Sequence, residues 1–218
     1  MSRDLMLNEF LQGAEMIQSQ QTVFIVDDDD DVRDALSLLM KSIGLPSKGY
    51  ASAWSFLQDF DGDRPGCLVL DIRMPDMTGL ELQRELLRCK AHIPIIFITG
   101  HADVAMAVET MKGGAIDFIQ KPFSDQDLID CIQHALIKDA ENRASLNKAS
   151  DIQTRLESLT VRERQVLDLV LAGKANKVIA AELGITARTV EVHRARVMEK
   201  MKAGSLAHLV AMITSVKT

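Results

Sequence analysis

The sequence predicts an α/β fold, a doubly wound domain on a five-stranded parallel sheet, followed by a long linker helix and a small all-α domain of four helices. Three observations predict it. Short apolar runs alternate with amphipathic helical stretches through residues 22–123. No Pro or Gly interrupts the chain between Pro122 and Gly173, which leaves room for a long helix. Charge is split: residues 1–154 carry 14 Lys and Arg against 25 Asp and Glu, net −11, and residues 155–218 carry 11 against 6, net +5. Two modules with different partners follow, and the basic one suits nucleic acid.

The first strand is Thr22–Val26. A helix over Val32–Ile43 follows, because Val32, Ala35, Leu36, Leu39, Met40 and Ile43 keep the three-four spacing of an apolar stripe. A weaker strand, Ser47–Tyr50, leads to a helix over Ala53–Phe60. Cys67–Leu70, Ile93–Ile98 and Ile116–Ile119 supply the remaining strands, with helices over Leu80–Cys89 and Val104–Lys112 between them. The strands are continuous apolar runs, as expected where helices cover both faces of a sheet.

The next helix starts near Ser124 and runs from Gln126 to about Leu156, with a break expected near Ser145–Ser150. A sevenfold row (Leu128, Ala135, Asn142, Ala149, Leu156) is too poor, with Asn142 in it, for a coiled coil. In the basic module, Thr160-Val-Arg-Glu163 has the form of a capping box before an apolar run. Gly173 ends that helix, Ala175–Leu183 forms a second, Thr186 caps a third to about Met201, and Gly204–Val216 forms a fourth. Two short helices, a glycine turn and a longer Arg-bearing helix make a helix-turn-helix pattern.

A 47% hydrophobic content supports packed cores and excludes wholesale disorder. No apolar run reaches the length of a membrane span, and residues 1–21 lack the basic start and apolar stretch of a secretory signal. In that extension Leu5, Phe10, Leu11 and Ile17 can pack as a helix, or the segment is loose. Cys67, Cys89 and Cys131 are odd in number and form no CxxC pair, which argues against zinc or a disulfide framework and for reduced thiols in a cytoplasmic protein.

The strand ends carry the chemistry. Asp27 and Asp28 follow the first strand, Asp71 ends the third, Thr99 ends the fourth, and Lys121 follows the fifth. Sites in such sheets form beyond the carboxyl ends of the strands. A hard cation such as Mg²⁺ takes oxygen ligands. A carboxylate can attack a phosphoryl group, while a cation, a hydroxyl and an ammonium neutralise the phosphoryl oxygens. Asp29, Asp30 and Asp31 read as first-turn acids at a helix N-terminus. His101, in the following loop, is not assigned a catalytic role.

The set VDD, LVLDIRMPDMTG, ITGH and KPF resembles the receiver domain of bacterial two-component response regulators, over residues 22–140. The resemblance implies that Asp71 accepts a phosphoryl group from a histidine kinase. It implies that Asp27, Asp28, Asp71 and the backbone carbonyl of Arg73 hold Mg²⁺, that Thr99 and Lys121 meet the phosphate, and that Phe118 is an aromatic switch. It also implies a cis Lys121–Pro122 bond. Alternative enzymes lack their letters: Arg73 stands where a haloacid dehalogenase-type phosphatase needs a second acid, and there is neither a GxxxxGK[ST] run nor a GxGxxG after the first strand.

Residues 156–218, with LTVRERQVL, GKANKVIAAELGI and TVEVHRARVMEKM, are similar to the LuxR-type helix-turn-helix. Ala175 departs from the serine common in that family, which weakens a cap or phosphate contact there. Together the two parts resemble the NarL/FixJ class, nearest to the FixJ branch by the linker over 141–155. A helical wheel puts Val190, Val197 and Met201 on a core face and Arg188, Val192, Ala195 and Arg196 largely opposite, with Glu191 at the margin and Thr189 also assigned to the contact set. Lys177, Arg194 and Lys200 are expected on phosphates. His193 reads as a packed, hydrogen-bonded helix residue. The expected partners are a sensor histidine kinase, promoter DNA, a second copy on DNA half-sites, and RNA polymerase, with no membrane. The expected chemistry is self-phosphorylation from a donor and slow autodephosphorylation, not turnover as an enzyme. The rival reading is a phosphorelay module whose C-terminal domain binds protein.

Overall fold

The structure, a computed structural model, describes residues 21–100 and 104–217. The expectations for residues 1–20 and for His101 lie outside the described residues. Two compact units divide between Arg143 and Ala144.

The first unit holds β1 (Thr22–Val26), α1 (Asp30–Ser42), β2 (Ser47–Tyr50), α2 (Ala53–Asp59), β3 (Gly66–Asp71), α3 (Gly79–Arg88), β4 (Ile95–Thr99), α4 (Val104–Lys112), β5 (Asp117–Gln120) and the start of α5 (Asp125–Glu157). All strand pairs are parallel, in the order β2-β1-β3-β4-β5. The order reverses between β1 and β3, which sets a crevice at their carboxyl ends.

Strand residues alternate between two cores. Phe24, Val26, Leu68, Leu70 and Phe97 pack against Phe56 of α2 and Leu82 and Leu86 of α3. Val23, Ile25, Val69, Ile96 and Ile98 pack against Leu36 and Met40 of α1 and Leu128, Ile132 and Leu136 of α5. Burial on both faces is why these strands read as unbroken apolar runs. β4 begins at Ile95, not Ile93, because Pro94 has no N–H to give; its carbonyl accepts from the Leu68 N–H at 2.9 Å. β2 lies at an edge, and Lys48 and Gly49 are exposed there, so its pattern is weak in the sequence.

α1 starts two residues before its apolar stripe, because Asp29 caps it by accepting from the Asp31 and Val32 amides. α5 is one helix through Ser145–Ser150, where a break was expected. Ala, Leu and Lys there favour helix, and neither Ser nor Asn breaks one alone. Gln21 is buried rather than part of an extension: its amide donates to the Leu136 carbonyl at 2.8 Å and to Asp139 at 3.4 Å. Buried Asp139 also accepts from the Gly66 N–H at 2.9 Å and from Arg143 Nε at 2.9 Å. Arg143 donates onward to the Asp63 carbonyl at 2.7 Å and the Arg64 carbonyl at 2.6 Å. Gly66 is obligatory, since at φ 147° a Cβ would strike the Thr22 carbonyl.

The second unit holds the end of α5 with α6 (Val161–Leu171), α7 (Asn176–Leu183), α8 (Ala187–Lys200) and α9 (Leu206–Lys217). Ile152 and Leu156 of α5 pack with Leu167, Val197, Met201, Leu209 and Ile213. The linker span 141–155 thus contributes Arg143 to the first unit and Ile152 to the second core. Val166, Val170, Ile179, Ala180 and Val190 form another cluster. Gly184, left-handed at φ 66°, ends α7 and makes the turn into α8. Among the described residues, no helix is long and apolar enough to cross a membrane.

Candidate functional site

Parallel register brings the strand ends to one edge. Asp71 ends β3, with Ile98 as its partner on β4, and the Lys121 N–H continues the β4–β5 ladder by donating to the Thr99 carbonyl at 2.8 Å. Beyond β1, the Asp27 N–H donates to the Tyr50 carbonyl at 3.3 Å. Asp27, Asp71 and Lys121, far apart in sequence, therefore meet. Lys121 Nζ lies 2.8 Å from Asp27 Oδ2 and 3.1 Å from Asp71 Oδ1. The Arg73 N–H donates to Asp71 Oδ2 at 2.6 Å. Asp27, Asp71 and Thr99 are buried, Lys121 and Phe118 are half-buried, and Asp28 and Arg73 are exposed. The Lys121–Pro122 bond is cis.

The loop after Asp71 has its own logic. Asp76 adopts a left-handed conformation at φ 67°, and the Met77 N–H turns back to the Pro75 carbonyl at 2.8 Å. The chain is then placed for Thr78 to cap α3, with Glu81 completing the capping box. Gly79 must be glycine, since a Cβ there would run into the Asp71 carbonyl. This explains the Thr-Gly pair of the sequence motif.

The five consecutive acids separate into different environments. Asp27 meets Lys121, and its Oδ1 accepts from the Asp29 N–H at 3.0 Å. Asp29 caps α1, Asp30 ion-pairs with Arg33, and Asp31 is an exposed first-turn acid. Asp28 is exposed and, among the described residues, has no hydrogen-bond or ion-pair partner. Arg33, which no sequence motif singles out, donates from Nη1 to the Asp27 carbonyl at 2.7 Å. Its spacing from Asp30 on one helix face is the only local signal.

Burial raises the Asp71 carboxyl above the usual range; hydrogen bonds and charge from Lys121 oppose this, and the charge of Asp27 adds to it. Lys121 is held above its ordinary value: burial works against the ammonium, and the bonds to Asp27 and Asp71 outweigh it. Two buried carboxylates share one cation, so negative charge is in excess. A hard cation fits that excess and the all-oxygen donor set. Among the described residues, no three His, Cys, Asp or Glu side chains form a ready cage. The donors suit a cation that keeps much of its water, as Mg²⁺ does, with the Arg73 carbonyl as the expected backbone ligand.

In the second unit, α8 buries Val190 and Val197 and exposes Arg188, Glu191, Val192, Ala195 and Arg196. Lys177 on α7 is exposed as well. Other residues of the expected contact set are engaged within the unit. Lys200 Nζ lies 2.7 Å from buried Glu163 and 3.0 Å from the Ser158 carbonyl. Arg194 donates to Asn176 at 2.7 Å, and the Thr189 hydroxyl lies 2.8 Å from that of Thr186. His193 is packed, as expected, but its buried Nδ1 has no hydrogen-bond partner among the described residues. Ala175 gives α7 no side-chain cap.

Residues 23–133 match the model of the response regulator receiver domain, and residues 157–213 that of the bacterial regulatory proteins of the luxR family. The chain is similar to the transcriptional regulatory protein FixJ of Rhizobium meliloti (strain 1021), at 52% identity over 88% of this chain and 94% of the relative. It is similar to the response regulator protein TmoT of Ectopseudomonas mendocina, at 46% identity over 94% of each chain. Among solved structures it is similar to the response regulator StyR, with a TM-score of 0.83 at 45% identity over 90% of this chain and 99% of that one.

Proposed function

The chain belongs to the two-component response regulators of the NarL/FixJ class, a receiver domain joined to a LuxR-type DNA-binding domain, and from that premise we propose that Asp71 is its phosphoacceptor. One observation carries the reading: Asp71 sits with a second buried carboxylate against one shared ammonium, at the switch-point edge of the sheet. A carboxylate oxygen of Asp71 attacks the phosphorus of a phosphohistidine on the sensor kinase. The P–N bond breaks as the P–O bond forms, and the released imidazole nitrogen takes up a proton. Lys121 meets the new negative charge, with the Thr99 hydroxyl as a further donor. Asp27, Asp28 and Asp71, with the Arg73 carbonyl, would hold Mg²⁺, which when bound would neutralise charge on the phosphoryl oxygens.

Phosphorylation then biases a two-state receiver through Thr99 and Phe118, controlling dimerisation and promoter binding. On DNA, Arg188, Glu191, Val192 and Arg196 meet base edges and Lys177 a phosphate, while contact with RNA polymerase sets the transcriptional outcome. The chain works in the cytoplasm and turns over no substrate beyond its own phosphoryl group. Genome-wide DNA binding of wild type beside Asp71→Asn tests this. Discrete sites that Asp71→Asn loses are expected; equal occupancy by both overturns control through Asp71, and no DNA occupancy favours a protein-binding C-terminal domain.

A further inference from the structure

Every polar atom of Asp27 has a partner. Its N–H donates to Tyr50, Oδ1 accepts from the Asp29 N–H, and Oδ2 accepts from Lys121. Its carbonyl, the one that leads into Asp28, accepts from Arg33 Nη1 at 2.7 Å. The side chain of Arg33 is only 15% exposed. Its stem runs over β2, where Cδ lies 3.7 Å from the space a Cβ on Gly49 would fill. The guanidinium is thus anchored between α1 and β2 and grips the peptide joining the two acids. Its charge is already matched by the ion pair with Asp30.

We infer that Arg33 is a positioning residue of the cation site: it holds the Asp27–Asp28 peptide so that Asp27 faces Lys121 while Asp28 is presented to solvent and metal. The inference rests on the Mg²⁺ reading above. Position and charge make opposite demands, which makes the two separable. By Coulomb's law alone, removing Arg33 leaves Asp30 unpaired and the edge more negative, so Mg²⁺ should bind more tightly. If Arg33 orients the acids, its loss should weaken binding, as loss of groups that orient metal ligands commonly does by about 10–100-fold.

The test is calorimetric titration of the full chain with MgCl₂, using wild type, Arg33→Gln, Arg33→Lys and Asp28→Asn. Expected are an Mg²⁺ affinity about tenfold weaker in Arg33→Gln and partial recovery in Arg33→Lys. In phosphorylation by a small phosphodonor, half-saturation by Mg²⁺ should move upward while the rate at saturating Mg²⁺ stays near wild type. Arg33→Gln binding Mg²⁺ as well as or better than wild type, in a chain that melts cooperatively, overturns the positioning role. Wild type and Asp28→Asn binding alike overturns the Mg²⁺ reading beneath it.

Discussion

Lys121 and Lys200 are the same side chain put to two uses. Each holds a buried carboxylate closely, Lys121 at 2.8 Å from Asp27 and Lys200 at 2.7 Å from Glu163. Lys200 completes a balanced set, because the Thr160 N–H also donates to Glu163, at 2.9 Å. The Glu163 carboxyl is accordingly pulled down to about 2, first by Lys200 and then by Thr160. Lys121 must serve two acids, and Asp71 is pushed up instead, by burial and by Asp27. Burial alone does not mark a reactive charge. An unbalanced one does, since only it gains from an incoming cation or phosphoryl group.

The hardest way to break that contrast is to remove each lysine. Lys121→Ala is expected to slow phosphoryl transfer to Asp71 by about 10²–10³-fold, as loss of a donor aimed at developing charge does, read from initial rates at saturating Mg²⁺. Lys200→Ala is expected to leave that rate alone and to cost the second unit about 1–3 kcal/mol, because Glu163 loses a charged partner; amide hydrogen exchange in α6 and α8 reads it. Arg188→Ala should behave in the reverse way. Exposed Arg188 makes no hydrogen bond or ion pair among the described residues, so stability should stay within about 0.5 kcal/mol while DNA affinity falls at least about fivefold, measured by fluorescence anisotropy.

The smallest effect is in acid. Glu163 titrates lower folded than unfolded, so its stabilising contribution is complete above about 4.5 and is lost as pH falls from there toward about 2. Asp71, raised in the fold, has the opposite sign: its ionisation costs stability as pH rises through its folded value. Hydrogen exchange should therefore show α6 loosening across that acid range, and Glu163→Gln should remove the step. The only tryptophan, Trp54, lies in the first unit and reports that unit alone.

Most of the fold is legible because the strands are buried on both faces and so appear as apolar blocks. The edge strands β2 and β5 are the exceptions: neither is buried throughout, and β2, with Lys48 and Gly49 exposed, leaves the weaker signal. Asp71, Thr99 and Lys121 are legible because each falls at a strand end. Arg33 is not, because its target is a backbone carbonyl, and carbonyls leave no trace in residue type. Lys200 looks like any basic helix residue until the fold brings Glu163, 37 residues away, against it. Glu163 itself is visible only as half of a capping box. The clasp of Asp139 and Arg143 is equally hidden, since its acceptors are the carbonyls of Asp63 and Arg64. Local pattern finds groups that sit at element ends. It misses groups whose partner is distant or belongs to the main chain.

Asp71, the acid that shares Lys121 with Asp27, is expected to take the phosphoryl group. The direct measurement treats the full chain with a small phosphodonor, with and without Mg²⁺, and locates the added mass by peptide mapping. The expected result is one phosphoryl group, on the peptide that contains Asp71, present only with Mg²⁺ and absent from Asp71→Asn. Undiminished labelling of Asp71→Asn, or a phosphoryl group mapped to another residue of the wild type, would contradict it.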